Sequence, residues 1–380
     1  MRYLILSCLS IISLTFCSEQ TATNSGGTPP ATADSIATGN LIEAGLDTAM
    51  IAKLENEISQ GVFPNIHSLL IARNNKLVYE KYWKGNDEVW GTPVGEVPHD
   101  RDSLHDLRSI SKSVVAICTG IAIAQGKIKS VDQKVFEFFP EYKNLDTGLI
   151  SNLTIKHLLT MSSGLAWVED VPYDDPRNSE ILMTKSPNPV QYVLSQPMDT
   201  VPGVVWKYNG GTTQLLAAII EKTTGKNVDS FAAQYLFEPM GITRFNWIKF
   251  PGTNLPAAAS GLRLRARDIL KFGMLCYNKG EYNGKQIVPA SWIDDSFQPQ
   301  VPRGNDGAYG YQFWLFNDTV DNKPGQLVAC VGNGDQRIFF NREKQLLVVV
   351  NAGNYNKWNI PKNSHAMLYQ YIYPACKVDK

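Results

Sequence analysis

Residues 109–126 read SISKSVVAICTGIAIAQG: Ser109, Ile110, Ser111 and Lys112, then an almost unbroken apolar run through Val114, Val115, Ile117, Cys118, Ile121 and Ile123 to Gly126. The pattern predicts a helix that is apolar nearly all round, hence buried, with Gly126 as its C-terminal cap. Residues three apart share one helix face, so Ser109 and Lys112 point the same way from its first turn. A serine hydroxyl is a weak nucleophile until a neighbouring base takes its proton, and a lysine amine can do so only while neutral. Burial and the positive helix end both disfavour the ammonium, which makes Lys112 the candidate base. A Ser-x-x-Lys string arises by chance about once in a chain this long, so its weight comes from its surroundings.

Upstream, Leu46, Met50, Ile51, Leu54 and Ile58 recur at helical spacing and stop at Gly61. Two β-prone runs follow, 68–72 and 76–82, joined by a hairpin turn at Arg73-Asn74-Asn75. Downstream the strong segments are helical: 155–160, 189–195, 212–223 and 228–237, punctuated by Pro and Gly. The C-terminal part mirrors the start, with strands at 326–331, 336–340 and 346–351 and a closing helix at 364–373. This order predicts an α+β fold: an antiparallel sheet made from both ends of the chain, terminal helices on one face, and an inserted all-helical subdomain. The expected parts are an α/β subdomain of residues 46–108 and 251–380 and a helical subdomain of 109–250. The cleft between them is the expected small-molecule site.

The chain has 380 residues, 43% of them hydrophobic, with 36 basic and 36 acidic side chains. No basic excess supports nucleic acid or an acidic membrane surface as a partner. Arg2 and the short apolar stretch from Tyr3 to Phe16 have the layout of an export signal over 1–17. Leu14-Thr15-Phe16-Cys17 resembles a bacterial lipoprotein box, which would place a lipid on Cys17 as the one membrane contact; a plain secretory cut nearby is the alternative. Residues 18–45, rich in Ser, Thr, Gly and Pro, read as a flexible tether. The spacing of Cys118, Cys276, Cys330 and Cys376 fits neither a disulfide framework nor a zinc site, so they are expected as core thiols. The five histidines are scattered without metal spacing, and no metal is expected. His157, beside Leu158 and Leu159, reads as a structural histidine.

Leu107-Arg108-Ser109-Ile110-Ser111-Lys112-Ser113 resembles the nucleophile motif of the class C β-lactamase and penicillin-binding esterase family, serine β-lactamase-related hydrolases. Further strings match that family in order. TIKHLLTMSSGL (154–165) is similar to the segment after the nucleophile helix. Trp206-Lys207-Tyr208-Asn209-Gly210-Gly211 is similar to its second catalytic motif. Ala259-Ser260-Gly261-Leu262 with ARDILKFG (266–273) is similar to the return into the α/β part. The 6-aminohexanoate-dimer hydrolase and esterase branch is nearest, because Met161 to Leu165 runs on into Trp167, Glu169, Tyr173 and Asp175.

The resemblance implies a β-lactamase/transpeptidase-like fold, with Ser109 as the acylated nucleophile, Lys112 as its partner and Tyr208 as a proton relay. Tyr208 can act as a base only if nearby positive charge lowers its pKa, and Lys112 is the candidate for that. The backbone N–H groups of Ser109 and Asn333 are the implied oxyanion hole. Trp167, Glu169, Tyr173 and Asn209 are the candidate substrate-binding residues. Two departures stand out. The second motif reads Tyr208-Asn209-Gly210 and lacks the family's asparagine in third place. Cys330-Val331-Gly332 stands where the third motif carries a cation, leaving only Arg337 or Lys323 to reach in. The expected activity is hydrolysis of a small ester or amide through an acyl-enzyme, without a cofactor. The alternatives are a cell-wall D-Ala peptidase or β-lactamase, and an inactive binding module of the same fold.

Overall fold

The computed structural model describes residues 28–320 and 323–376. The expected signal over 1–17, with Cys17, and the first part of the tether, 18–27, lie outside the described residues.

The chain opens with helix α1 (Thr48–Ser59), the strand pair β1 (Ile66–Arg73) and β2 (Lys76–Tyr82), the hairpin β3 (Gly85–Val89) and β4 (Thr92–Val97), and the short β5 (Leu104–Asp106). Helix α2 (Ile110–Ala124) begins the helical part, which continues through α3 (Ile155–Leu159), α4 (Ser179–Lys185), α5 (Pro189–Leu194), α6 (Gly210–Thr224) and α7 (Val228–Ala232). The chain returns through β6 (Phe245–Trp247), β7 (Leu262–Arg265), α8 (Ala266–Tyr277), the small hairpin β8 (Glu281–Tyr282) and β9 (Lys285–Gln286), and α9 (Ala290–Ser296). It ends with β10 (Val301–Pro302), β11 (Gly307–Tyr309), β12 (Trp314–Val320), β13 (Lys323–Gly332), β14 (Gln336–Asn341), β15 (Leu346–Ala352) and α10 (Ser364–Met367), the last prolonged through residues 368–375.

The main sheet is antiparallel throughout, in the order β10-β11-β12-β13-β14-β15-β1-β2, so the first strand of the chain pairs with the last. The Asn74-Asn75 turn between β1 and β2 has φ of 53° and 60°, the left-handed pair that a two-residue hairpin requires. Every residue of β1 is buried because both faces of the sheet are covered. Leu69 and Ile71 alternate into a core shared with Leu54 of α1 and Ile372 near the C-terminus, whereas Leu70 and Ala72 face the core that holds α2 and α8. Each such aliphatic side chain contributes about 1.5–3 kcal/mol by leaving water. Helix α2 is buried from Ile110 to Ala122, and Gly126, at φ 68°, ends it: the Lys127 N–H donates back to Ala122 O at 2.9 Å. A small sheet, β5-β7-β6, joins the places where the chain enters and leaves the helical part.

Residues 28–45 correct the tether expectation. Leu41 and Ile36 are buried, and Gly39 N–H and Ala37 O pair with Leu77 on the edge strand β2. The buried Arg267 guanidinium, held by Glu80, also donates to Pro30 O, Thr32 and Asp34. Backbone pairing and one cation fix a segment whose composition offers little apolar surface. Cys118, Cys276 and Cys330 are free buried thiols, Cys376 is buried with its Sγ donating to Ile372 O, and Cys330 is pushed up to about 12 by burial.

Candidate active site

The turn before α2 carries strain: Arg108 adopts φ 50°, a region costly for a side chain of this size. Its guanidinium is held by Glu88 and, at 3.2 Å, by Asp106. Its carbonyl accepts a 2.6 Å bond from the Ser111 hydroxyl, whose oxygen in turn accepts from Leu262 N–H at 3.1 Å. Ser109 follows with no capping bond of its own. Its hydroxyl is left to a cleft of about 340 Å³, whose lining includes Tyr173, Tyr208, Trp314, Asn333 and Arg337.

Lys112, buried on the first turn of α2, donates to Ser109 Oγ at 3.0 Å and to Ala259 O at 3.1 Å. Its Nζ lies 4.9 Å from the centre of the Tyr208 ring. Two carboxylates complete its surroundings, Glu169 Oε1 at 3.8 Å and Glu180 Oε2 at 3.9 Å. Burial, then the charge of Glu180, push the Glu169 carboxyl up to about 8. Burial pushes Glu180 the same way, but Lys112 and hydrogen bonds from Glu169 and Ser260 outweigh it and hold this carboxyl below its ordinary value. The two therefore share one proton near neutrality and present a single negative charge to Lys112.

Tyr208 corrects an expectation. Burial first, then Glu169, raise its phenol well above the ordinary value; a hydrogen bond with Ser109 and the charge of Arg337 offset only part of this. Burial and the buried carboxylates, not Lys112, set the state of this phenol. Tyr208 thus rests as a neutral phenol in contact with Ser109.

The remaining candidates separate in space. Tyr173 lines the cleft and a second hollow of about 280 Å³ beside it, bordered by Arg108 and Glu180. Glu169 reaches the cleft but is tied by Gly210 N–H at 2.6 Å and the Trp167 indole N–H at 2.7 Å, so it is a positioning residue rather than a substrate contact. Trp167 is buried behind it. Asn209 is fully buried, and its side chain caps α6 by accepting from Thr212 N–H at 3.2 Å; its capping geometry turns it away from the cleft lining. His157 forms a capping box with Thr154 at the start of α3. Glu180 carried no signal in the sequence.

The structure explains both departures. A Cβ on Gly210 would sit 2.9 Å from Glu180 Oε2 and 3.2 Å from Glu169 Oε2, so the carboxylate pair fills the space beside the second motif. A Cβ on Gly332 would sit 2.3 Å from Leu107 O, so the end of β13 presses directly on the nucleophile turn. Arg337 of β14 brings a cation to the cleft wall, where Gly332 O, Gln336 O and Asp335 hold it. Lys323 begins β13, nine residues before Gly332 and therefore about 30 Å away along the strand. The expected second oxyanion donor, Asn333, lies at the cleft with its side-chain amide bonded to Asn356.

The histidine expectation also fails in space. Three of the five, His67, His99 and His105, converge with Asp87 to within 4.8 Å of one another, a grouping that their spacing along the chain conceals.

The sequence matches the family model described as Beta-lactamase over residues 67–366. Among curated relatives, the 6-aminohexanoate-dimer hydrolase of Paenarthrobacter ureafaciens is 23% identical over 321 residues, covering 78% of this chain and 74% of that protein. Esterase EstB of Burkholderia gladioli is 26% identical over 46% of this chain and 44% of its own length. The curated relatives it matches are spanned over 44% to 74% of their length. The octameric penicillin-binding protein homologue from Pyrococcus abyssi superimposes with a TM-score of 0.62 at 21% identity, covering 85% of this chain and 77% of that one. With the shared fold and a match across most of its length, this chain belongs to the β-lactamase family.

Proposed function

We propose that this protein is a hydrolase that cleaves small ester or amide bonds through a covalent acyl-enzyme on Ser109. The observation that carries the reading is the 3.0 Å contact of Lys112 Nζ with Ser109 Oγ at the floor of a cleft that Tyr208 also faces. Lys112 first passes a proton to the charged member of the Glu169–Glu180 pair; its neutral amine then takes the proton of Ser109 Oγ as that oxygen attacks the carbonyl carbon, and Tyr208 hands its phenol proton on and is refilled from Lys112. The bond to the leaving group breaks, and the leaving group departs with that proton from Tyr208. Water then attacks the acyl carbon, its proton returns by the same route, and the acid product leaves Ser109 as a hydroxyl again. The backbone N–H groups of Ser109 and Asn333 stabilise the oxyanion, each worth about 2.7–4 kcal/mol of barrier. The Glu169–Glu180 pair balances the charge of Lys112 and positions it.

Trp314 and the Tyr208 ring, whose centroids are 5.6 Å apart, give the acyl group an apolar wall, and the names of the relatives support both ester and amide chemistry. The test is a fluorophosphonate probe with p-nitrophenyl esters of rising chain length, on the wild type, Ser109→Ala and Lys112→Ala. Labelling and turnover that vanish in both variants are expected; a folded wild type that neither labels nor turns over any ester would leave the inactive binding module in its place. Turnover of D-Ala-D-Ala peptides or β-lactams above all esters would shift the substrate class. We further propose an extracytoplasmic bacterial location, with lipid on Cys17, on the pattern of residues 1–17 alone. A mature protein retaining Met1 would refute it.

A further inference from the structure

His67 of β1, Asp87 of β3, His99 of the loop after β4 and His105 of β5 meet behind the nucleophile turn, outside the lining of the Ser109 cleft. His67 Nδ1 and His105 Nε2 are 2.8 Å apart. Asp87 Oδ1 is 4.0 Å from the first and 3.9 Å from the second, and Asp87 Oδ2 is 3.9 Å from His99 Nε2. All four side chains are at most 5% exposed.

The hydrogen bonds around the group fix which nitrogens are bare. His105 Nδ1 lies 3.1 Å from Asp106 O, a pure acceptor, so it carries the hydrogen and leaves Nε2 as a lone pair. Asn65 donates from Nδ2 to Asn86 O and accepts at Oδ1 from Asn86 N–H, which fixes its amide orientation. His67 Nε2, 3.3 Å from that Oδ1, must donate, so His67 Nδ1 is also bare. Two lone pairs therefore face each other across 2.8 Å. His99 Nε2, buried, has no hydrogen-bond partner. Among the described residues, these three histidines are the only basic groups within ion-pair distance of the buried Asp87 carboxylate. Asp87 Oδ1 accepts from Glu88 N–H and from the Tyr355 hydroxyl, both at 2.9 Å, which fixes the carboxylate, and Oδ2 is the oxygen left to face His99. Buried imidazole lone pairs that converge on a buried negative charge call for a cation.

We propose that His67, Asp87, His99 and His105 form a closed structural site for one divalent cation of the zinc class. Three imidazole nitrogens and one carboxylate oxygen suit that class, and metal–ligand bonds of about 2.0–2.1 Å place neighbouring ligand atoms about 3.3 Å apart in a tetrahedron. The nearest separations, 2.8–4.0 Å, bracket that spacing, and the four ligand atoms all lie within 4.8 Å of one another, so they must draw in to bind. A hollow of about 10 Å³ touches all three rings on the side away from Asp87, beside Ser68 and Asp100. The His67 and His99 rings are stacked, 4.0 Å apart and 16° from parallel, so one ring must turn to bind. His99 is the one free to do so, being on a loop with its Nε2 unpartnered. Asp106 O and Asn65 orient the other two rings, as partners outside the ligands do in metal sites. All four positions come from protein, which leaves no open place for substrate and makes the role structural. The ion ties β1, the β3–β4 hairpin and β5 together beside Arg108, which Glu88 and the Tyr355 ring also hold.

The experiment takes the purified full chain, strips it with a chelator, and titrates Zn²⁺ by calorimetry and Co²⁺ by visible absorption. One ion per chain, a raised unfolding temperature and the intense absorption of four-coordinate Co²⁺ are expected. His99→Ala removes a loop side chain whose Nε2 is unpartnered, so the stripped variant should match the stripped wild type in circular dichroism and unfolding temperature. Its affinity should fall at least about a hundredfold, by comparison with losses of 10–100-fold when only outer partners are removed. No binding by the folded wild type overturns the proposal. So does binding whose affinity and Co²⁺ spectrum survive both His99→Ala and Asp87→Asn.

Discussion

Replacing Glu169 by Gln tests the shared proton beside Lys112. The Glu169 carboxyl stands at about 8 in the folded chain against an ordinary 4.5. Between these values the folded state keeps a proton that the unfolded state has released, so stability falls as pH rises through the window. At about 1.4 kcal/mol per pKa unit, the loss approaches about 5 kcal/mol as an upper bound for the pair. Glu180, held low, gives the opposite slope at more acidic pH, where its own protonation would destabilise the fold. A glutamine at 169 can still accept from Gly210 N–H and the Trp167 indole while its NH₂ donates to Glu180. It cannot titrate. Urea unfolding of wild type and Glu169→Gln at intervals from about pH 5 to about pH 8 should show a declining stability in the wild type and a much flatter profile in the variant. Glu169→Ala serves as the contrast, since it strands two buried N–H donors and should cost about 2–6 kcal/mol at every pH. Identical slopes for wild type and Glu169→Gln would refute the shared proton.

Tyr208→Phe should lower kcat about 10²–10⁴-fold with KM little changed, in steady-state ester hydrolysis; wild-type kcat would remove the phenol from the chemistry. Gly332→Ala forces a methyl against Leu107 O, so it should cost about 1–3 kcal/mol in urea unfolding and also slow acylation by displacing the nucleophile turn. An unaltered acylation rate would show that β13 does not set that turn. Arg267→Ala leaves Glu80 buried without its cation and should lose about 3–5 kcal/mol. The same change should expose residues 28–36 to limited proteolysis, and protection equal to wild type would contradict the docking described for that segment.

What could be read from the sequence was local or periodic. The α2 run, the β-prone apolar runs of β1 and β15 and the Asn74-Asn75 turn each carry their signal within a few neighbouring residues, and the expected elements lie within a few residues of the observed ones. The pairing of Ser109 with Lys112 follows from one helical turn. What escaped depends on distance along the chain. The β3–β4 hairpin has little apolar alternation, with β4 almost wholly exposed, yet it delivers Asp87 to three histidines and Glu88 to Arg108. Glu180 looks like an ordinary residue in the first turn of α4, and only folding brings it to Lys112. The Tyr208 phenol was misjudged for the same reason: the groups that raise it lie on segments whose approach no spacing reveals. Residues 28–45 were misread because composition measures apolar area and not backbone pairing.

The antiparallel order that places β15 beside β1 has a consequence for the timing of activity. Ser109 and Lys112 emerge in the first third of the chain, but the wall opposite them, Gly332 to Arg337, is made only after β13. A nascent chain halted before that strand carries the serine and lysine on a helix with no opposing wall, no cleft and only β2 beside β1. On the proposed function, synthesis itself acts as a safety catch: Ser109 and Lys112 face a formed cleft only once the last strands have closed the sheet. Because that closure joins residues nearly 300 positions apart, such as Leu69 and Val350, it is also the step most exposed to delay as the chain folds.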